Sequence, residues 1–153
     1  MVSSHLSEGE MVDGKKEGDW ITYYANGNKR SEGNYIAGKK QGLWIQYYKN
    51  ENKANEAVFK NGKHEGLVVR WYENGNLEAK INYGKHRGNS YDGKKQGEAY
   101  YYETDGLMVW RIITYKGGSR TKPDEFPLGV CPTCGEGRRL SWKDSCPKCD
   151  GQL

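Results

Sequence analysis

Residues 14–20 read GKKEGDW, and near-copies return as GKKQGLW at 38–44, GKHEGLV at 62–68 and GKKQGEA at 93–99. A motif that returns at a fixed interval restricts the chain to stacked copies of one small unit. Gly18, Gly42 and Gly66 are 24 residues apart, and so are Gly14, Gly38 and Gly62. In that alignment Trp20 falls with Trp44 and Val68, Ile21 with Ile45 and Val69, Tyr23 with Tyr47 and Trp71, and Tyr24 with Tyr48 and Tyr72. The fourth copy comes late: Gly97 follows Gly66 by 31 residues. The extra seven residues belong to 83–96, which is either a shortened extra unit or an enlarged loop.

Each unit holds two short runs rich in aromatic and β-branched residues, separated by N-G or D-G and by G-K-x-x-G. Such runs bounded by turn residues read as paired antiparallel strands. The lysine between glycines suggests a phosphate-cradling loop, but such a loop needs a helix start and a following Ser or Thr. Neither is present, so the motif is expected to be a solvated turn between hairpins. No stretch has a helical period. The expected fold is all-β, an elongated, twisted antiparallel meander of tandem hairpins over residues 1–116. A linker at 117–127, marked by Gly117, Gly118, Pro123 and Pro127, leads to a second module at 128–153.

Aliphatic residues are scarce, with 23 Leu, Ile, Val and Phe among 153 residues. Disorder would go with high net charge and few rings. Here the charge is +4, and there are 12 Tyr and 5 Trp. Alternation along a strand puts Ile21/Tyr23, Ile45/Tyr47, Val69/Trp71 and Tyr100/Tyr102 on one face. Trp20/Tyr24, Trp44/Tyr48 and Val68/Tyr72 lie on the other, with Thr22, Gln46 and Arg70 between them. The return strands supply Tyr35, Phe59 and Tyr83 at one shared position. Interleaved rings are expected to form an aromatic ribbon on a sheet that no helix covers. Trp20, Tyr24, Trp44, Tyr48, Arg70 and Tyr72 are the expected contacts for a partner, because Trp, Tyr and Arg concentrate binding energy.

The units over residues 7–117 resemble the MORN-type repeat in its bacterial variant, roughly NGKxxGxWxxYYxNGxxxxEGxYxxGK. The resemblance implies a twisted sheet of successive hairpins. It further implies a scaffold or partner-binding role, and the bacterial variant is often labelled antitoxin-like.

The segment CPTCGEGRRLSWKDSCPKCD holds all four cysteines as two C-x-x-C pairs, Cys131/Cys134 and Cys146/Cys149. Two such knuckles separated by eleven residues suit tetrahedral Zn2+ with four thiolates; a redox dithiol and an iron–sulfur site are the alternatives. The segment resembles a zinc ribbon. So short a module does not fold on apolar burial alone, and metal binding of about 10–16 kcal/mol would supply the deficit. Four protein ligands leave no position for water, so the zinc is expected to be structural rather than catalytic.

No catalytic set emerges. His64 and His86 lie in G-K-H turns and are expected to be exposed, no fifth cysteine exists, and the carboxylates are scattered. The chain is expected to be no enzyme. Mixed charge and the lack of an amphipathic helix argue against a membrane surface. Nucleic acid is the less favoured partner, since a tetrathiolate zinc adds −2 to a module with four basic and three acidic side chains; a nucleic-acid-associated accessory protein using the zinc ribbon is the alternative function. MVSSHLSEGE does not read as a secretory signal. Paired C-x-x-C motifs suit a reducing compartment, which gives a cytoplasmic expectation. The favoured function is a protein-interaction module, either antitoxin- or immunity-like or a subunit of a larger assembly.

Overall fold

The structure is a computed structural model that describes residues 6–85, 91–106 and 109–122. These form one antiparallel sheet of ten strands in sequence order: β1 (Ser7–Val12), β2 (Lys15–Tyr23), β3 (Lys29–Ile36), β4 (Lys39–Tyr47), β5 (Lys53–Lys60), β6 (Lys63–Trp71), β7 (Leu77–Lys85), β8 (Tyr91–Tyr102), β9 (Val109–Lys116) and β10 (Ser119–Arg120). No helix occurs among the described residues. The expected meander of hairpins is what forms. The second module, with its zinc-ribbon expectation, lies outside the described residues, as does His86.

Two kinds of turn alternate. Register pairs Ile36 with Lys39 around Ala37-Gly38. Both turn residues have positive φ, 49° and 77°, the geometry of a two-residue turn whose twist matches the strands. Glycine meets that requirement without strain, which explains the G of G-K-x-x-G. The backbone N–H groups a phosphate would need are occupied. Gly38 N–H donates to Lys16 O at 2.9 Å, and Ala37 N–H donates to the Glu17 carboxylate at 2.7 Å. One repeat on, Gly62 bonds Lys40 O at 2.9 Å, and Asn61 N–H bonds Gln41 Oε1 at 2.9 Å. The E/Q of the motif thus caps the turn of the following hairpin.

The N-G turns form a second ladder. Asn28 N–H donates to Asn26 Oδ1, and Asn28 Nδ2 reaches Lys49 O in the next unit at 2.8 Å. Asn52 and Asn76 repeat both contacts. Each second tyrosine of the Y-Y pair ties units together likewise: Tyr24 Oη donates to Tyr47 O, Tyr48 Oη to Trp71 O and Tyr72 Oη to Tyr102 O, at 2.7, 2.8 and 2.8 Å. Neighbouring units are therefore clamped at both ends by bonds that use invariant features of the repeat.

The seven extra residues do not make another unit. They lengthen the β7–β8 hairpin, which still pairs at Lys85 and Tyr91, with register shifts on either side of Tyr83. At the other boundary the sheet runs past its expected limit. Gly117-Gly118, both at positive φ, turn the chain, and Ser119 and Arg120 pair with Lys116 and Tyr115. The first residues of the expected linker at 117–127 are thus a hairpin, because two glycines in tandem make a tight turn as readily as a flexible joint.

Candidate functional site

The two faces of the sheet differ sharply. On one, a row crosses the strands through Trp20, Gly33, Trp44, Ala57, Val68, Ile81, Ala99 and Ile113. All but Gly33 are buried, and with Ala79 they are the whole buried core among the described residues. Pairs along this row compensate in volume. The Trp44 indole lies on Gly33, where a Cβ would stand 2.3 Å from the ring. Trp20 lies the same way on Gly9, 2.4 Å from such a Cβ. In the third unit the large partner shrinks to Val68 and the glycine becomes Ala57. In the fourth, Ala99 stands opposite Ile81. Each indole N–H is satisfied by backbone: Trp44 Nε1 donates to Asn34 O at 3.0 Å, and Trp20 Nε1 to Glu10 O and Glu17 O, both at 3.2 Å.

A second row on this face carries the aromatic ribbon. Ring centroids follow one another from Trp20 to Tyr35 (6.1 Å), Trp44 (4.9 Å), Phe59 (6.5 Å), His64 (4.3 Å) and Tyr83 (4.7 Å). The first three contacts are edge-on, the arrangement that ring quadrupoles favour. Lysines close the face. Lys16 Nζ lies 4.1 Å from the Trp20 ring and Lys40 Nζ 4.2 Å from the Trp44 ring, so ammonium over indole and aliphatic stem over ring act together. Burial, followed by the charge of Lys16, pushes the Lys40 pKa down.

These contacts correct two expectations. Trp20 and Trp44 are only 7% and 4% exposed. They are the core of this face, not contacts held out to a partner, because glycine beneath and lysine above enclose them. His64 is no exposed turn residue either. It takes the place of Lys40 in the repeat, and its ring stands half-buried between Phe59 and Tyr83. Burial first, and the Lys40 charge second, lower its pKa. Of the other expected contacts, Tyr24, Tyr48 and Tyr72 are half-buried with their phenols committed to the next unit. Arg70 is exposed and paired with Glu78 at 2.8 Å.

Where the indoles stop, a cleft opens. A cavity of about 400 Å³ lies on this face. Its lining includes the expected contacts Tyr48 and Arg70, but not Trp20, Tyr24, Trp44 or Tyr72. Val68, Ile81, Tyr83, His64, Asn55 and Lys95 also line it.

The opposite face holds the feature the sequence reading missed. Leu43, Val58 and Leu67 are 50%, 38% and 45% exposed. Leu43 pairs with Val58, and Leu67 follows across the β5–β6 bulge. Ile45, Val69, Tyr47 and Trp71 stand half-buried on this same face. Polar residues replace the patch elsewhere: Asp19 and Asn34, bonded at 3.0 Å, occupy the row in the first unit, and Asn82 and Glu98 in the last. The signal was the L of QGLW and EGLV, at an exposed strand position where the other copies have Asp or Glu. A tyrosine–carboxylate–lysine chain borders the patch: Tyr47 Oη donates to Glu32 Oε1 at 2.5 Å, and Lys29 bonds Glu32 at 2.9 Å.

Among the described residues, no group of three or more His, Cys, Asp or Glu is placed to hold a metal, and no helix is long and apolar enough to cross a membrane. No curated protein matches the chain. Three segments, 16–37, 40–61 and 65–85, match the MORN repeat variant. Their boundaries fall one structural unit after another across β2 to β7, so this part of the sheet is an array of MORN-type repeats.

Proposed function

We propose that the chain is a non-catalytic protein-interaction module whose sheet holds a partner protein, with one structural zinc on Cys131, Cys134, Cys146 and Cys149. MORN repeats are in general protein- and membrane-interaction repeats. The observation that carries the protein reading is the contiguous patch of Leu43, Val58 and Leu67 on three adjacent strands. Single exposed apolar residues are ordinary, whereas a joined patch rimmed by polar groups marks an interface. A partner of this kind fits an immunity-like protein or a fixed subunit of an assembly. The four thiolates suit zinc by donor chemistry, and such an ion would fold the C-terminal module and take no part in a reaction.

The immobilised chain should capture a partner from its own cells, and a Leu43→Asp/Leu67→Asp variant with an unchanged circular dichroism spectrum should lose that same protein. Equal capture by the variant would refute the patch as the interface. Elemental analysis of the reduced protein should find one zinc per chain, absent after Cys131→Ser. Metal-free wild-type protein with a folded C-terminal module would refute the zinc assignment.

A further inference from the structure

Lysines and carboxylates are mixed along the chain, but the fold sorts them. Every G-K turn lies at the same end of its hairpin. Lys15, Lys39 and Lys63, the first residues of β2, β4 and β6, therefore line up along one edge of the sheet, and Lys94 of β8 continues the row. Each stem lies on the turn glycine of the next hairpin. A Cβ at Gly38, Gly62, Gly93 and Gly118 would stand 3.5, 3.8, 3.1 and 3.5 Å from the Cβ of Lys15, Lys39, Lys63 and Lys94. A stem seated in this way holds its place while the ammonium reaches solvent, and all four residues are exposed. Successive members stand two strands apart, roughly 9–10 Å. Lys15, Lys39 and Lys63 make no salt bridge among the described residues. Of the carboxylates near these turns, Glu17 is engaged by Ala37 N–H, and its counterparts at 41 and 96 are glutamines. Asp13, Glu65 and Asp92 also stand there by position.

The row borders the leucine patch. Lys60 follows Val58 by two residues in β5 and pairs with Lys63, and Lys39 pairs with the exposed Ile36. Alternation puts these residues on the face of Leu43, Val58 and Leu67. At the other end of that face the lysines already hold carboxylates, Lys29 with Glu32 at 2.9 Å and Lys53 with Glu56 at 2.8 Å. The patch is thus bordered by neutral pairs at one end and by positive charge at the other. Resting on the reading of the patch as a protein interface, we propose that the lysine row seats an acidic stretch of the same partner, whose adjoining apolar residues cover Leu43, Val58 and Leu67. Nucleic acid matches the charge but offers the leucines no apolar surface. An anionic bilayer matches both, yet it would press Glu65, which pairs with Val58 inside the patch, into a surface of like charge; a polypeptide can bring a donor to that carboxylate. Exposed ion pairs add little affinity one by one. A row of cations instead steers the partner's approach and fixes its orientation on the patch.

Fluorescence anisotropy with a fluorescein-labelled Glu-Leu-Glu-Glu-Leu-Glu-Glu-Leu-Glu peptide, and with its counterpart carrying Gln for every Glu, tests this. At low salt the acidic peptide should bind the wild-type chain at least tenfold more tightly than the neutral one, and added salt should close the gap. Lys15→Gln/Lys39→Gln/Lys63→Gln keeps the stems on their glycines and should abolish the difference while circular dichroism stays unchanged. Lys29→Gln/Lys53→Gln, which removes lysines that already hold carboxylates, should preserve it, so a response to net charge alone is told apart from a response of the row. Leu43→Asn/Leu67→Asn should weaken both peptides alike and keep the acidic preference. Equal affinity for the two peptides, with both weakened by the leucine variant, would overturn the row and leave the patch standing. An acidic preference that the leucine variant does not touch would support the row and refute the patch. No binding of either peptide, a preference that survives the triple lysine variant, or tighter binding to phosphatidylserine vesicles or to a dT oligonucleotide than to the acidic peptide would overturn the proposal.

Discussion

The first two repeats and the third share a backbone but not a surface. Turns, tyrosine clamps and asparagine ladders are the same in all three. Yet Trp20 and Trp44 fill their face over glycine, while Val68 over Ala57 leaves a cleft. The difference teaches that this repeat has two separable layers. Backbone bonds at the hairpin ends set the architecture, and the row of side chains in the middle is free to change, provided that large and small residues change in pairs. The third repeat uses that freedom: His64 replaces lysine, and Arg70 replaces Thr22 and Gln46.

The largest effect should come from removing an indole. Trp44→Ala should cost about 3–5 kcal/mol in urea unfolding, against about 2 kcal/mol for Val68→Ala. Equal losses would end the distinction between filled and open repeats. Next, Gly33→Ala drives a methyl into the Trp44 ring and should cost about 1–3 kcal/mol. Its counterpart Ala57→Gly should cost about 1 kcal/mol, chiefly through chain entropy. A milder test addresses the layer that all repeats share. Tyr48→Phe removes one phenol–carbonyl bond and should cost about 1 kcal/mol, with the same value for Tyr24→Phe; unequal values would show that the clamp is not common to the units.

The smallest effect is one of pH. Burial, reinforced by the hydrogen bond to Glu32, raises the Tyr47 pKa from its ordinary 10.0 to about 12. The folded state thus keeps this phenol protonated where the unfolded chain ionises it. Its stabilisation is complete below about pH 10 and is lost as pH rises towards about 12. Tyr101, raised to about 12 by burial and then by its bond to Tyr115, acts in the same sense. Tyr47→Phe should flatten the alkaline limb of the stability profile, and an unaltered limb would show that the phenol does not contribute to it.

Strand order, turns, unit boundaries and the aromatic ribbon were legible because they follow two periods, 24 along the chain and 2 along a strand. Burial was not. Both faces carry alternate rings, so alternation alone cannot say that lysine stems would close one of them over Trp20 and Trp44. His64 looked like a turn residue because it follows the Asn61-Gly62 turn so closely; it is the second residue of β6, paired with Phe59 on the ribbon. The cleft follows from the joint change at 57 and 68, two strands that a linear reading does not set side by side. The β7–β8 extension likewise depends on pairing between Lys85 and Tyr91 that the inserted residues do not announce.

The central claim is that the indole face is built from volume-matched pairs. A double-mutant cycle on Gly33 and Trp44, measured by urea unfolding, tests it most directly. If the pairs are matched, Gly33→Ala/Trp44→Val should be more stable than the sum of its single changes by at least about 1 kcal/mol, since the valine makes room for the new methyl as Val68 does for Ala57. Strict additivity of the two changes would contradict the claim.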